Sequence, residues 1–86
     1  MTLALAPHVS TADTGTGMAL LDERTGRYWA LNATAALMVR TLLEEQSVER
    51  TVSVLQTRYP VAAERVHVDT EVLLRSLCEA RLVTTS

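Results

Sequence analysis

The chain contains no Phe, Ile or Lys, only three aromatic residues, and one cysteine, Cys78. A single cysteine excludes an internal disulfide and a cysteine-rich metal site, and without Lys there is no phosphate-binding loop of the Gly-Lys type. Eight Arg against ten acidic residues leave a net charge of −2, which disfavours nucleic acid and anionic lipid as partners. No apolar run approaches the roughly 18 residues of a membrane span, and no secretion signal opens the chain. We therefore expect a cytoplasmic protein that does not bind membranes.

What remains is the composition of one globular domain. The chain has 86 residues, 48% of them hydrophobic and 21% charged, which predicts a single domain over residues 1–86 and argues against disorder. A chain of this length supports only a marginal core. We expect that core to consist of Leu, Val and Ala together with Tyr28, Trp29 and Tyr59.

The pattern changes near Asn32, from strands to helices. An extended strand is predicted around His8–Ala12, and the two glycines in 14–17 indicate a turn. Met18–Leu31 is predicted to be a β-hairpin, with Gly26 in its connection. Alternation within that hairpin directs Trp29 and Leu31 to one face of the sheet and Tyr28 to the other.

Three helices are predicted to follow. Asn32 is suited to cap the first, over 33–45, where apolar residues recur at helical spacing (Ala35, Met38, Val39 and Leu42). Ser47 caps the second, whose apolar stripe ends at Pro60 (Val48, Val52, Leu55 and Tyr59). The third runs over 63–80 with its own apolar face (Val66, Leu73, Leu74 and Leu77), and Leu82 and Val83 close the core. The predicted class is α+β in the order βββααα.

No catalytic, cofactor or metal site is predicted. The 14–20 segment has only two of the three glycines of a dinucleotide-binding loop and is most simply a surface turn. Cys78, on a helix with apolar neighbours, is more typical of a small buried hydrophobe than of a nucleophile. His8 and His67 have no ligand spacing with Cys78 or with each other.

A binding function has more support. Arg27–Leu31 carries a single charge, whereas exposed edge strands are usually protected by several charges or Pro. As an edge it would pair with an incoming extended peptide by β-augmentation. One flank of the last helix combines valines with charged and polar residues (Val68, Asp69, Val72, Arg75 and Ser76). This flank could form the second wall of a groove, extend the apolar stripe that faces the core, or face solvent.

The segment Leu20–Thr34 resembles the signature of PqqD-like peptide-recognition domains: an acidic turn, then Gly-basic-Tyr, then Leu-Asn at the start of the first helix. The similarity extends through Val48–Leu55 and the final helix to 81–83. The opening 7–10 segment and the length resemble the free-standing branch that serves lasso peptide biosynthesis.

The resemblance implies a winged-helix-like fold, with a three-stranded antiparallel sheet followed by three helices. It also implies that the leader of a ribosomally made precursor peptide adds a strand at Arg27–Leu31, against the last helix. Leaders of this type carry a Tyr-x-x-Pro anchor, which would suit a pocket near Val68 and Val72, and Asp69 and Arg75 could pair with charged leader residues. The implied partners are the leader and a separate leader peptidase of the cysteine protease type, with the macrocyclase as a further candidate.

Other functions stay open on the sequence alone. A winged-helix DNA-binding protein is the main alternative, although 64–81 holds three Arg against four acidic residues, which disfavours phosphate contacts. A small subunit that only stabilises a larger enzyme is another. An unoccupied edge strand would also allow a homodimer of the free protein.

Overall fold

The computed structural model describes residues 2–58 and 63–85. In chain order its elements are β1 (Leu3–Leu5), β2 (Val9–Thr14), β3 (Gly17–Asp22), β4 (Tyr28–Asn32), α1 (Ala33–Glu45), α2 (Val48–Arg58), α3 (Ala63–Glu79) and β5 (Val83–Thr85). The order βββααα is confirmed for β2 to α3, and β1 and β5 are additions that the sequence pattern did not predict. Tyr59 and Pro60 lie outside the described residues. Within residues 2–58 and 63–85, no helix is both long enough and apolar enough to cross a membrane.

The main sheet is antiparallel, with the strand order β2-β3-β4. Its register places Leu20 opposite Trp29 and Met18 opposite Leu31. Met18 and Leu20 are buried, and Trp29 and Leu31 pack against the same core. One face of the sheet therefore packs against the helices, as the alternation within the hairpin predicts.

The other face of the sheet is open to solvent. Tyr28 is 70% exposed there, beside Leu21 on the neighbouring strand, so its expected place in the core is wrong. The hydrophobic core depends instead on aliphatic side chains and methionine, with Trp29 at its margin. Residues of α1, α3 and the segment that follows α3 complete it (Ala36, Val39, Leu42, Leu77, Leu82 and Val83), so the prediction that Leu82 and Val83 close the core is confirmed.

Side-chain caps set where the first two helices begin. The Ala35 amide donates to Asn32 Oδ1 over 2.8 Å at the start of α1, and the Arg50 amide donates to Ser47 Oγ over 3.2 Å at the start of α2. Each bond satisfies an amide that the first turn of a helix leaves without a partner. Asn32 is both the last residue of β4 and the cap of α1, so this cap fixes how the edge of the sheet meets the helices.

A second, two-stranded sheet joins β1 to β5, with Leu3 opposite Thr85. The side chain of Gln46, the left-handed residue that ends α1 at φ 59°, holds β1 in place. Its Oε1 accepts from the Leu3 amide, and its Nε2 donates to the Leu3 carbonyl over 2.8 Å. The first strand, the last strand and the end of α1 are thereby tied together.

Candidate functional site

The edge of the main sheet at β4 presents unpaired backbone groups. β4 has β3 as its one neighbour among the described strands. The Asp22 amide donates to the Arg27 carbonyl over 2.8 Å, so Arg27 and every second residue after it bond to β3. Alternation in an antiparallel ladder then directs the N–H and C=O groups of Tyr28 and Ala30 to the open side. That side offers two donors and two acceptors to another strand.

A groove separates this edge from α3. Near the start of β4 lies a cavity of about 440 Å³, here named the arginine cavity, which is lined by Asp22, Arg24, Thr25, Arg27, Trp29, Ser76, Glu79, Ala80 and Arg81. Near the end of β4 lies a cavity of about 350 Å³, here named the apolar cavity, which is lined by Asn32, Thr34, Ala35, Met38, Asp69, Val72, Leu73 and Ser76. Ser76 lines both cavities, so together they form one groove along β4 and α3.

The turn between β3 and β4 is held by Asp22, a carboxylate that is 3% exposed. Its Oδ1 accepts from the Arg24 amide over 2.9 Å, and the Arg24 Nε and the His8 Nε2 each lie 3.9 Å from that oxygen. Burial acts to raise the pKa of Asp22, but the Arg24 amide and the nearby His8 outweigh it and lower this pKa below its ordinary value. The ionised carboxylate is therefore part of the folded turn.

Next to this turn, the Arg27 guanidinium lies 5.2 Å from the centre of the Trp29 ring. This distance is within the range of a cation–π interaction. Trp29 thus supports both the core below it and the guanidinium beside the groove, and Arg27 is kept alongside the strand edge.

The structure brings together most of the residues predicted for the site. Arg27 and Trp29 line the arginine cavity, Asp69 and Val72 line the apolar cavity, and Ser76 lines both. Tyr28 and Ala30 lie on β4 with their backbone groups at the open edge, and Leu31 packs against the core.

Val68 and Arg75 lie elsewhere. Val68 lines a cavity between α2 and α3, and Arg75 lines one between the start of α2 and α3. The buried side of α3 consists of Val66, Thr70 and Leu77. With that side facing the core, the side chains of Val68 and Arg75 point away from β4. Their part in binding therefore stays a prediction.

Sequence reasoning missed two groups of groove residues. One is the start of α1, which contributes Thr34, Ala35 and Met38, and the other is the pair of arginines Arg24 and Arg81. The signal for the first group was present, because the N-cap Asn32 directly follows the edge strand. The arginines are 57 positions apart along the chain, and only the folded arrangement brings them to one cavity.

Residues considered for chemistry do not come together in the described part of the chain. Cys78 is exposed, so its interpretation as a buried small hydrophobe is wrong. His67 pairs with Glu71 on the same helix, with 2.7 Å between Nδ1 and Oε1. Among residues 2–58 and 63–85, no three His, Cys, Asp or Glu side chains cluster as metal ligands.

The fold has counterparts in known proteins. One solved structure, described as lasso peptide synthetase B1 complexed with the leader peptide, is 38% identical to this chain, covers 99% of it with 100% of its own chain, and has a TM-score of 0.90. A second, TbiB1 in complex with the TbiA(beta) leader peptide, is 26% identical, covers 95% of each chain, and has a TM-score of 0.84. No curated protein sequence matches the chain significantly.

A family model supports the same relationship. The model of coenzyme PQQ synthesis protein D (PqqD) matches residues 17–83. This span runs from the first residue of β3 to the first residue of β5 and includes all three helices. The segment Leu20–Thr34, which carries the resemblance in sequence, forms the β3–β4 hairpin and the start of α1. The chain therefore belongs to the PqqD family.

Proposed function

We propose that this protein is a non-catalytic recognition module for the leader segment of a ribosomally made precursor peptide in lasso peptide maturation. The leader binds as an additional strand on β4, between β4 and α3, and the module delivers it to a separate leader peptidase of the cysteine protease type. The macrocyclase is a second candidate to receive the bound precursor.

The open edge of β4 facing α3 across a groove is the observation that carries this proposal. Tyr28 and Ala30 supply the backbone groups for pairing, and pairing by main-chain bonds gives affinity to a peptide in extended form. Side chains of an added strand alternate between two faces, so every second leader residue points towards α3. The apolar cavity beside Val72 and Met38 is suited to the Tyr-x-x-Pro anchor.

Two further observations support it. Both solved structures similar to this chain are described as complexes with leader peptides. The charge on α3 opposes the DNA-binding alternative, because Glu64, Asp69, Glu71 and Glu79 outnumber its arginines, whereas phosphate contacts require basic residues.

The expected benefit of such a module is proximity. A precursor held by its leader meets the peptidase in an effectively intramolecular encounter, which often raises avidity about a hundredfold or more. A leader that becomes ordered on binding gives up part of its interaction energy. A dissociation constant near micromolar, about −8 kcal/mol, is sufficient. Because the module supplies no reacting group, the substitution Cys78→Ala should leave precursor processing unchanged.

The test is a fluorescence-anisotropy titration with the labelled leader encoded by the neighbouring precursor gene. Ala30→Pro removes one amide from the open edge of β4 without removing a bond to β3. Thr11→Pro is its matched control, because the bond from the Glu23 amide to the His8 carbonyl places the Thr11 amide on the open side of β2. We expect saturable binding that Ala30→Pro abolishes and Thr11→Pro preserves. Equal loss or equal retention in the two folded variants would contradict β-augmentation on β4.

Two further experiments address the anchor and the delivery. Replacement of the leader Tyr and Pro by Ala, or Val72→Glu in the protein, should weaken binding if the apolar cavity holds the anchor. With the partner peptidase, added module should accelerate cleavage of the precursor, and the Ala30→Pro variant should not. A folded protein that binds the peptidase but no free leader would support the enzyme-subunit alternative instead.

A further inference from the structure

We propose that the leader presents an acidic side chain to the arginine cavity, where Arg27 and Arg81 bind it, and that this contact determines the direction and register of the bound leader. This inference rests on the proposed function, because it names the chemistry that the same groove selects. It concerns the end of the groove opposite the apolar cavity.

The arginine cavity has more positive than negative charges. Its lining has three arginines and two carboxylates. The Asp22 carboxylate is already engaged by the Arg24 amide, the Arg24 guanidinium and His8. Arg24 is thus the arginine that neutralises the buried acid of the turn, and Arg27 and Arg81 remain for another partner.

Neither Arg27 nor Arg81 has a carboxylate within 4.0 Å among the described residues, and no ion pair joins Glu79 to either of them. The Trp29 ring holds Arg27 beside the strand edge. Arg81 follows α3 in a left-handed conformation at φ 59°, with its amide bonded to the Cys78 carbonyl over 3.0 Å. Two guanidinium groups placed on fixed backbone at one cavity suit a carboxylate, since each presents a planar fork of donors.

The apolar cavity has the opposite preference. Its lining is mostly uncharged and includes Met38, Val72 and Leu73, and its single charged residue is the acid Asp69. A leader carboxylate there would lose hydration and face a like charge. The two ends of the groove therefore differ in what they accept, with an apolar anchor at one and an acid at the other.

Strand geometry predicts the spacing between the two leader residues. Of the β4 segment, Arg27 and Trp29 line the arginine cavity and Asn32 lines the apolar cavity. Both cavities lie on the α3 side of β4, and only every second residue of an added strand points to that side, so the acid and the anchor are an even number of residues apart. Arg27 and Trp29 precede Asn32 by five and three positions, and the even spacing between these values is four. An acid at an odd distance from the anchor would point to the other face.

The experiment measures a coupling between protein and peptide charges in the same anisotropy titration. The protein variants are Arg27→Gln, Arg81→Gln and, as a control on the outer side of α2, Arg50→Gln. The peptide is the leader of the neighbouring precursor gene, with each Asp or Glu replaced in turn by Asn or Gln. Thermal unfolding of every variant verifies that it is folded.

We expect Arg27→Gln and Arg81→Gln each to weaken binding about tenfold, as lost charged hydrogen bonds do, while Arg50→Gln has no effect. In the protein with both arginines replaced, substitution of the leader acid four residues from the anchor should no longer weaken binding. Binding of the unmodified leader that is insensitive to both arginine variants would overturn this inference and leave the proposed function intact. A folded protein that binds no leader would overturn both.

Discussion

At the scale of single residues, Thr70 carries a buried hydroxyl group that the core does not satisfy. Its side chain is 0% exposed and its Oγ1 has no hydrogen-bond partner. Thr51 is equally buried, but its Oγ1 donates to the Ser47 carbonyl over 2.7 Å. Because an unpaired buried hydroxyl costs free energy, Thr70→Val should raise the free energy of unfolding by about 1 kcal/mol, and Thr51→Val should lower it by a similar amount. Urea denaturation of both variants measures this, and a Thr70→Val protein less stable than Thr51→Val would contradict the assignment.

Asp22 makes the stability of the hairpin turn depend on pH. Its pKa is lowered in the folded protein from the ordinary value of 3.8, so folding favours the ionised form. The stabilisation is fully present above the unfolded-state pKa and is lost as the pH falls through the lower folded-state value. We expect Asp22→Asn to be less stable than the natural protein near neutral pH, with the difference shrinking below 3.8. A difference in the free energy of unfolding that is constant over an acid titration would contradict this.

At the scale of elements, the site depends on how closely β3 and β4 approach. A Cβ atom added at Gly17 would collide with the backbone carbonyl of Leu31, whereas one added at Gly15 would meet nothing within 4 Å. Gly17→Ala should therefore separate the strands and lower the free energy of unfolding by about 1–3 kcal/mol. It should also weaken leader binding, because β4 carries the open edge. Gly15→Ala is the matched control and should change neither quantity. Equal urea midpoints for the two variants would show that the strands can adjust.

Local signals predicted the elements well. The bounds of α1 follow from the Asn32 cap and from apolar side chains at helical spacing, because both act within a few residues. The alternation around Trp29 likewise predicted which face of β4 is buried. The rotation of α3 was largely predicted in the same way, since Val66 and Leu77 are buried as its apolar stripe indicates and the predicted flank residues Asp69, Val72 and Ser76 line the groove. The wheel could not show that Val68 and Arg75 line other cavities, because those cavities depend on how α2 lies beside α3.

At the scale of the whole molecule, the groove is formed by parts of the chain that are distant in sequence. α1 packs against both β4 and α3 and so places them on either side of the groove, and β5 returns after α3 to pair with β1. Strands of three residues on opposite ends of the described chain carry no local signal, so their pairing was not predictable from the sequence pattern. Their contribution is to hold the chain beyond α3, where Arg81 and Leu82 follow the helix, against the remainder of the core.

This arrangement predicts that β1 is required for stability but not for recognition. Leu3 is 4% exposed and packs in the main core, while its neighbour Ala4 is exposed. Leu3→Ala should lower the free energy of unfolding by about 3 kcal/mol, which corresponds to roughly 12–24 °C in the melting temperature of a domain this small. Ala4→Ser, on the same strand, should melt with the natural protein. Below its lower melting temperature, the Leu3→Ala protein should bind leader with unchanged affinity, because β4 and α3 contribute the groove. Equal melting temperatures for the two variants would show that β1 is dispensable, and weakened binding by the folded Leu3→Ala protein would show that the β1–β5 sheet also positions the groove.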